Sequence, residues 1–564
     1  MIPWKQRIAS SALLFASVLL ANSQVNVTQH HNHYTRDGLY IDPAFTLSAV
    51  TNLTRDSNFD GAIPPGHVTA QPLYVEGGPD GTAKVIVAVT EPNTASHVIA
   101  LDAKTGKTIW SDNLGPLGLA CFSASGGIAG TPAIDLPSRT LFCDAPSPVG
   151  HMIYALNVDT GHTNAGWPVN VSATAKYGDL LFSSQTENQR GALAILGDYV
   201  YVPYGSYLDC GDYRGWLVGV QISNPTNVMA WTTSAKGGGS WAVSGIASDD
   251  GVTPFMVTGN MLPITNSIFP TNWCGGEAVI RFQQGPTFNG SNQYYWAPTN
   301  WLDLDKLDRD ICYSGVLMVD APGATPSQLA VIFAKDGYCY LLNRTNLGGI
   351  SQPLAQTLVR TVPAPPVTYH TADGCTFVVV NIKKKLTAIT IGSNNPPTLN
   401  IAWTSPTFGW SFGGSGSPFV TTTDGSNNPV VWVIDTNLYA FDGLTGAQLY
   451  CSQDAFAIPP AYTSGIVARG RIYGANDSQV YAFTVPVPPV FITNPMLQPD
   501  GSIRFSFTNT PGLSFTVFSS TNLSLPPSEW KRLGTASEIS SGRYEFTRSP
   551  GISGQAEFYR VAAP

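Results

Sequence analysis

One short phrase returns eight times along this chain, and it restricts the fold more than any other feature. It is clearest at 100–110, ALDAKTGKTIW. Weaker copies are YALNVDTG (154–161), WLVGVQISN (216–224), AVIRFQQG (278–285) and YLLNRTNLG (340–348). LTAITIGS (386–393), LYAFDGLTG (438–446) and VYAFTV (480–485) complete the set. Aligned on Ala100, Ala155, Gly219, Val279, Leu341, Ala388, Ala440 and Ala482, the copies lie 42 to 64 residues apart. Strand-length apolar runs at such a period, often ended by Asp/Asn–Thr–Gly turns, predict an all-β, eight-bladed propeller.

The physics of one unit follows from its residues. The apolar run suits a strand covered on both faces, because each blade packs between two others. Asp and Thr bond their own backbone in the turn, and Gly supplies a positive φ. An aromatic often closes the unit (Trp110, Trp167, Trp231, Trp296, Trp403, Tyr450) and is expected to dock one blade on the next. The eighth copy has no closing strand after Val485. Residues 34–55 are the candidate to supply it, which would remove an open sheet edge.

The chain has 564 residues, of which only 12% are charged, with 55 Gly and 43 Pro. That is the composition of a turn-rich β protein with an ample core. Residues 1–23 read as a secretory signal: Lys5 and Arg7, an apolar Ser11–Ala21 stretch, then Ala21-Asn22-Ser23 as a cleavage site. The apolar run is too short to span a bilayer comfortably, and no later stretch is long enough. The expected location is therefore secreted or periplasmic. Net charge is −8, or −10 once Lys5 and Arg7 leave with the signal. An acidic surface with one basic run, Lys383-Lys384-Lys385, argues against nucleic acid as a partner. That run is expected to be a solvated hairpin face.

Eight cysteines in an exported chain suggest disulfides. Cys121–Cys143 and Cys312–Cys339 are the locally plausible pairs, each within one repeat. No CxxC or CxxCH occurs, so neither a thioredoxin-like site nor covalent haem is indicated. His30, His31 and His33 are read as a flexible terminal segment or a ring-closing strand ahead of a metal site. After VPVPPV (485–490) the repeat disappears, and short Ser/Thr-rich strands fill 491–564. The organisation expected is a propeller over 24–487 and a small β-sandwich over 491–564 behind a Pro-rich linker. The sandwich resembles fibronectin-like C-terminal modules of exported bacterial proteins, and nothing in it looks catalytic.

The repeat phrase resembles that of pyrroloquinoline quinone (PQQ) propellers over roughly residues 30–485. Four further stretches resemble the quinoprotein alcohol dehydrogenases among them. GGGSWAVSGIASDDGVTPFMVTGN (237–260) is similar to a phrase in which a Trp lies under the quinone and an Asn binds calcium. The resemblance assigns these places to Trp241 and Asn260. A flat aromatic suits a planar cofactor, and an amide oxygen suits a hard cation.

LDKLDRDICYSG (304–315) followed by FAKDGYCYLLNRTNLGG (333–349) resembles an Asp-containing turn ahead of a basic residue. The resemblance implies that Asp308 is the catalytic base, that Asp310 is an added metal-binding Asp, and that Lys335 contacts the quinone oxygens. A carboxylate can take an alcohol proton, while a metal and a cation polarise the quinone carbonyl. YGSYLDCGDYRGW (204–216) lacks the family's metal-binding Glu before RGW, and Asp209 is the nearest substitute. LACFSASGGIAG (119–130) departs further: Cys121-Phe122 stands where those enzymes have a vicinal cysteine pair.

Two functions remain open on the sequence. One is a PQQ- and metal-dependent (calcium or lanthanide) oxidoreductase of an alcohol or sugar, using a separate electron acceptor because no haem domain is present. The other is a non-catalytic propeller that binds a protein partner or scaffolds an assembly at the cell envelope. Trp241, Asn260, Asp308, Asp310 and Lys335 support the first. Phe122 and the missing Glu support the second.

Overall fold

The computed structural model describes residues 25–118, 121, 127–265, 267–360, 364–409, 416–453, 456, 464–487, 489–510, 513–540, 542–549 and 556–562. The expected signal at 1–23 and Phe122 lie outside these residues. Among the described residues between Leu39 and Thr484, the strands form eight sheets built on antiparallel meanders of three or four strands, and one two-stranded hairpin of Lys176–Tyr177 with Leu180–Leu181. Sheet 1 comprises Leu73–Val75, Lys84–Glu91, Ala95–Asp102 and Thr108–Pro116. Sheets 2 to 8 begin at Ala133, Glu187, Phe255, Leu317, Val367, Phe419 and Ile466. Each copy of the repeat phrase falls on one sheet, on the strand one place in from the outermost antiparallel strand.

Alternation along the strands explains how the sheets stack. Val85, Val87 and Val89 of sheet 1 enter a cluster shared with sheets 7 and 8. Ile86 and Ala88, on the opposite face, enter a cluster with Leu141 and Cys143 of sheet 2. A two-residue period thus feeds two neighbours from one strand. Similar clusters join sheets 2 and 3, 3 and 4, 4 and 5, 5 and 6, and 6 and 7. With the cluster that links 7, 8 and 1 they close a ring, as in a propeller.

The turns act as the sequence suggests. The Asp102 carboxylate accepts the N–H groups of Lys104 and Thr105, and Gly106 follows at φ 72°. Trp110, on the last strand of sheet 1, donates its indole N–H to Val158 O in the equivalent turn of sheet 2. A Cβ on Gly161 would come 2.7 Å from that indole, so glycine lets the ring dock. Trp403 repeats this against Gly443 and Gly446 of sheet 7. The outermost strand of sheet 8 is Thr54–Arg55, paired antiparallel with Val480–Thr484.

Residues 25–42 are ordered rather than flexible. They touch the inner edge of every sheet in order. Val27 exchanges hydrogen bonds with Tyr74 (sheet 1), and Thr28 O accepts from Ile134 N (sheet 2). Arg36 donates to Leu193 O (sheet 3) and Ile246 O (sheet 4). The carbonyls of Thr35, Asp37 and Gly38 accept from Met318, Thr368 and Val420 of sheets 5, 6 and 7. Leu39–Ile41 then adds in parallel to Phe419–Thr422, and Asp42 accepts from Gly470 of sheet 8. His30 and His31 are buried and stacked within this thread, where burial lowers both their pKa values.

Two cysteine expectations are corrected. Cys121 bridges Cys210, while Cys143, Cys312 and Cys339 are free and buried. Cys143 faces the cluster between sheets 1 and 2. Cys312 lies in the cluster of sheets 4 and 5, whereas Cys339 faces that of sheets 5 and 6. Sheet 5 therefore separates the second expected pair. The basic run is a hairpin turn with Lys383 and Lys385 exposed, as expected, but Lys384 turns inward to buried Asp435 at 3.2 Å.

Residues 493–562 form a four-stranded and a three-stranded antiparallel sheet. Phe505, Phe507 and Tyr544 of one share a cluster with Val517 of the other and with nearby Phe515. Among the described residues no helix is long and apolar enough to cross a membrane.

Candidate functional site

Antiparallel meanders send certain connections to the same edge of every sheet. These are the turns leading into the strand that bears the repeat phrase, and the links from one sheet to the next. All six residues singled out by the sequence lie on such connections of sheets 3, 4 and 5. Asp209 and Asn260 sit in turns of sheets 3 and 4, and Lys335 in the turn of sheet 5. Trp241 lies on the link from sheet 3 to sheet 4. Asp308 and Asp310 follow the helix Trp301–Leu307 on the link from sheet 4 to sheet 5.

The structure joins these residues by direct contacts. Asp310 Oδ1 accepts the backbone N–H of Asn260 at 2.8 Å. Lys335 Nζ lies 2.7 Å from Asp308 Oδ2 and 3.4 Å from Asp310 Oδ2. A Cβ built on Gly259 would meet both Asp310 Oδ1 and the Trp241 indole nitrogen. Gly205 and Gly239 also lie against the indole, at 2.9 and 2.8 Å from an added Cβ. Trp241 therefore rests directly on backbone and is half-buried. Asp209 joins through Tyr213, whose hydroxyl donates to Asp209 Oδ1 at 2.9 Å. The Tyr213 ring meets Trp241 edge-on at 5.6 Å.

Local structure sets the character of each acid. Asp308 ends its helix in the left-handed conformation, φ 52°, which Asp tolerates better than most residues. Its side chain is 68% exposed, so a ligand can reach it. Asp310 is buried, and burial raises its carboxyl pKa against the opposing pull of the Asn260 N–H and Lys335. Burial alone would lower the Lys335 pKa, but Asp308 and Asp310 outweigh it and the net shift is upward.

Three groups near this site were not foreseen. Tyr213 precedes the Arg214-Gly215-Trp216 phrase and could have been flagged from it. Asp305, within the LDKLDRDICYSG stretch, turns inward, accepts from Met261 N and is pushed up to about 7 by burial. Glu277 is fully buried, accepts from Ile311 N and is raised well above the usual range by burial. No motif marks Glu277. Among the described residues, no three His, Cys, Asp or Glu side chains are already gathered around a metal-sized point. The Cys121–Cys210 disulfide adjoins this region, since Cys210 follows Asp209 in the same turn.

No known protein family and no curated protein matches this sequence. Solved structures do match in fold. The quinohemoprotein alcohol dehydrogenase of Comamonas testosteroni aligns with a TM-score of 0.57 at 14% identity, over 84% of this chain and 83% of that one. A quinohemoprotein alcohol dehydrogenase of Pseudomonas putida HK5 aligns with a TM-score of 0.57 at 13% identity, over 84% of each chain. A europium-containing methanol dehydrogenase aligns with a TM-score of 0.54 at 13% identity, over 86% of this chain and 89% of that one. The chain shares the β-propeller fold of these proteins.

Proposed function

We propose that this chain is an exported, PQQ-dependent dehydrogenase of a small alcohol or sugar, with its site at Trp241, Asn260, Asp308, Asp310 and Lys335. One observation carries the reading: side chains from three sheets meet at Lys335 and Trp241, although no packing need of a propeller requires two acids and a lysine there. The residues suit a flat, acidic quinone. Trp241 offers an indole supported by backbone, and Lys335 offers the cation for its oxygens. When bound, PQQ supplies an acceptor for the substrate hydride.

The donor set also suits a hard cation in type. Asp308, Asp310, the Asn260 amide and Asp209 are oxygen donors, and their acids outnumber Lys335. Asn260, Asp308 and Asp310, with Asp209, are our choice of ligands for calcium or a lanthanide. Asp308 is the better base, because its side chain is exposed and a substrate can reach it. Both oxygens of Asp310 are engaged, which makes it an anchor for the Asn260 backbone and for Lys335. Electrons would pass to a separate acceptor. Spectral titration with PQQ and Ca²⁺ or La³⁺, followed by dye reduction with alcohols and aldoses, tests the reading. Absence of saturable quinone binding would overturn it. One observation favours the alternative of a non-catalytic binding propeller: Lys335 already pairs with both Asp308 and Asp310.

A further inference from the structure

Beside the Lys335 turn, but outside the site above, a cavity of about 280 Å³ opens between sheets 4 and 5. Buried Tyr340 and Pro298 form part of its floor, and half-buried Tyr338 stands at its side. Asn300, Gln352 and Gln356 form an exposed amide rim.

The lining selects a class of ligand. It contains no Lys or Arg, so a phosphate or carboxylate would find no counter-charge. Its one acid, Asp336, is already engaged: Oδ1 accepts the Tyr338 N–H and Oδ2 accepts the Tyr340 hydroxyl. Asn300 occupies the N-cap of the helix Trp301–Leu307, yet its side chain makes no capping bond. An Asn at that position normally spends its oxygen on the helix, and here the amide stays available to the cavity. Amides that both donate and accept, set around a tyrosine ring, match the alternating hydroxyls and C–H faces of a sugar. The volume lies just below the roughly 300 Å³ at which drug-sized pockets begin, so it suits one ring.

We propose that this cavity binds a single neutral sugar ring, such as the terminal unit of a glycan. The proposal stands whether or not the Trp241 site binds a quinone. Saturation-transfer NMR on the full chain, with methyl glycosides of glucose, galactose, xylose and N-acetylglucosamine, tests it, with tetramethylammonium as the cationic comparison. Transfer to the ring protons of at least one glycoside is expected. Tyr338→Ala should abolish it, and exposed Gln356→Ala should weaken binding about fivefold by removing a hydrogen bond. Gln356 sits on the surface, so its variant keeps the test valid if Tyr338→Ala does not fold. No transfer to any glycoside, transfer unchanged in Gln356→Ala, or transfer to tetramethylammonium alone would overturn the proposal.

Discussion

The Lys335 ammonium lies 2.7 Å from the Asp308 carboxylate. The same nitrogen reaches buried Asp310, which in turn holds the backbone of Asn260. One cation therefore positions the proposed base, an anchor and a proposed metal ligand together. Lys335→Met should lower quinone-dependent turnover by about 10²–10³, the range for losing one preorganised electrostatic contact. Lys335→Arg should recover part of it. Steady-state dye reduction with added PQQ and Ca²⁺ checks both; equal turnover in wild type and Lys335→Met would remove Lys335 from the site.

Trp241 and Asp308 should separate binding from turnover. Asp308→Asn removes a base but leaves the indole and its glycine neighbours in place. Turnover should fall by about 10²–10⁴ while quinone affinity stays nearly constant. Trp241→Ala removes the stacking surface and should weaken quinone binding about tenfold or more, an effect of about 1.4 kcal/mol. Fluorescence titration beside dye reduction resolves the two, and a loss of affinity in both variants would contradict the assignment.

The repeat was legible because each copy is a strand that alternately feeds two neighbouring clusters, as Ile99, Ala100 and Leu101 do. The meeting of Trp241, Asn260, Asp308, Asp310 and Lys335 follows from topology, since their turns and links leave the sheets at one edge. Other features had no sequence signal. Residues 25–42 bind mainly through backbone N–H and carbonyl groups, which no side-chain pattern reports. Glu277 and Asp305 are single buried acids whose burial depends on distant packing. The cysteine pairing turned on which face of a strand each thiol occupies, and repeat membership says nothing about that.

The disulfide and the free thiols give a direct chemical check. Native alkylation should label exposed Cys375 and Cys451, and more slowly half-buried Cys274. Cys143, Cys312 and Cys339 should react only after unfolding. Peptide mapping should recover Cys121 linked to Cys210. Replacing both by Ser releases a closed loop with a sequence separation of 89 and should cost about 2–5 kcal/mol. A Cys121–Cys143 peptide would refute this arrangement.

Glu187 gives a pH signature. It is buried on the first strand of sheet 3, and burial pushes its carboxyl up to about 8 against the opposing Arg214 N–H. In the unfolded chain a glutamate titrates near 4.3. Between those values the folded state keeps a proton that the unfolded state has lost, so stability falls as pH rises. The contribution is fully present below the unfolded value and gone above about 8. Glu187→Gln removes it. Melting curves from pH 5 to pH 8 should show wild type losing stability relative to Glu187→Gln; parallel curves would show that Glu187 is ionised in the fold.

Arg36 tests whether the N-terminal thread clamps the ring. It is 1% exposed and donates to the carbonyls of His30, Leu193 and Ile246, joining the thread to the inner edges of sheets 3 and 4. None of these partners is a carboxylate. Burial holds its guanidinium down to about 9, so the charge itself is a cost. Arg36→Met relieves that cost but strands three buried carbonyls, each worth about 1–3 kcal/mol when unsatisfied. The carbonyls outweigh the charge, and the net loss should be about 2–4 kcal/mol. A lowered urea midpoint with an unchanged slope would report it. Limited proteolysis should then cut within residues 25–42 faster than in wild type. An unchanged midpoint would mean that the backbone bonds of Val27, Thr35, Asp37 and Gly38 hold the thread without Arg36.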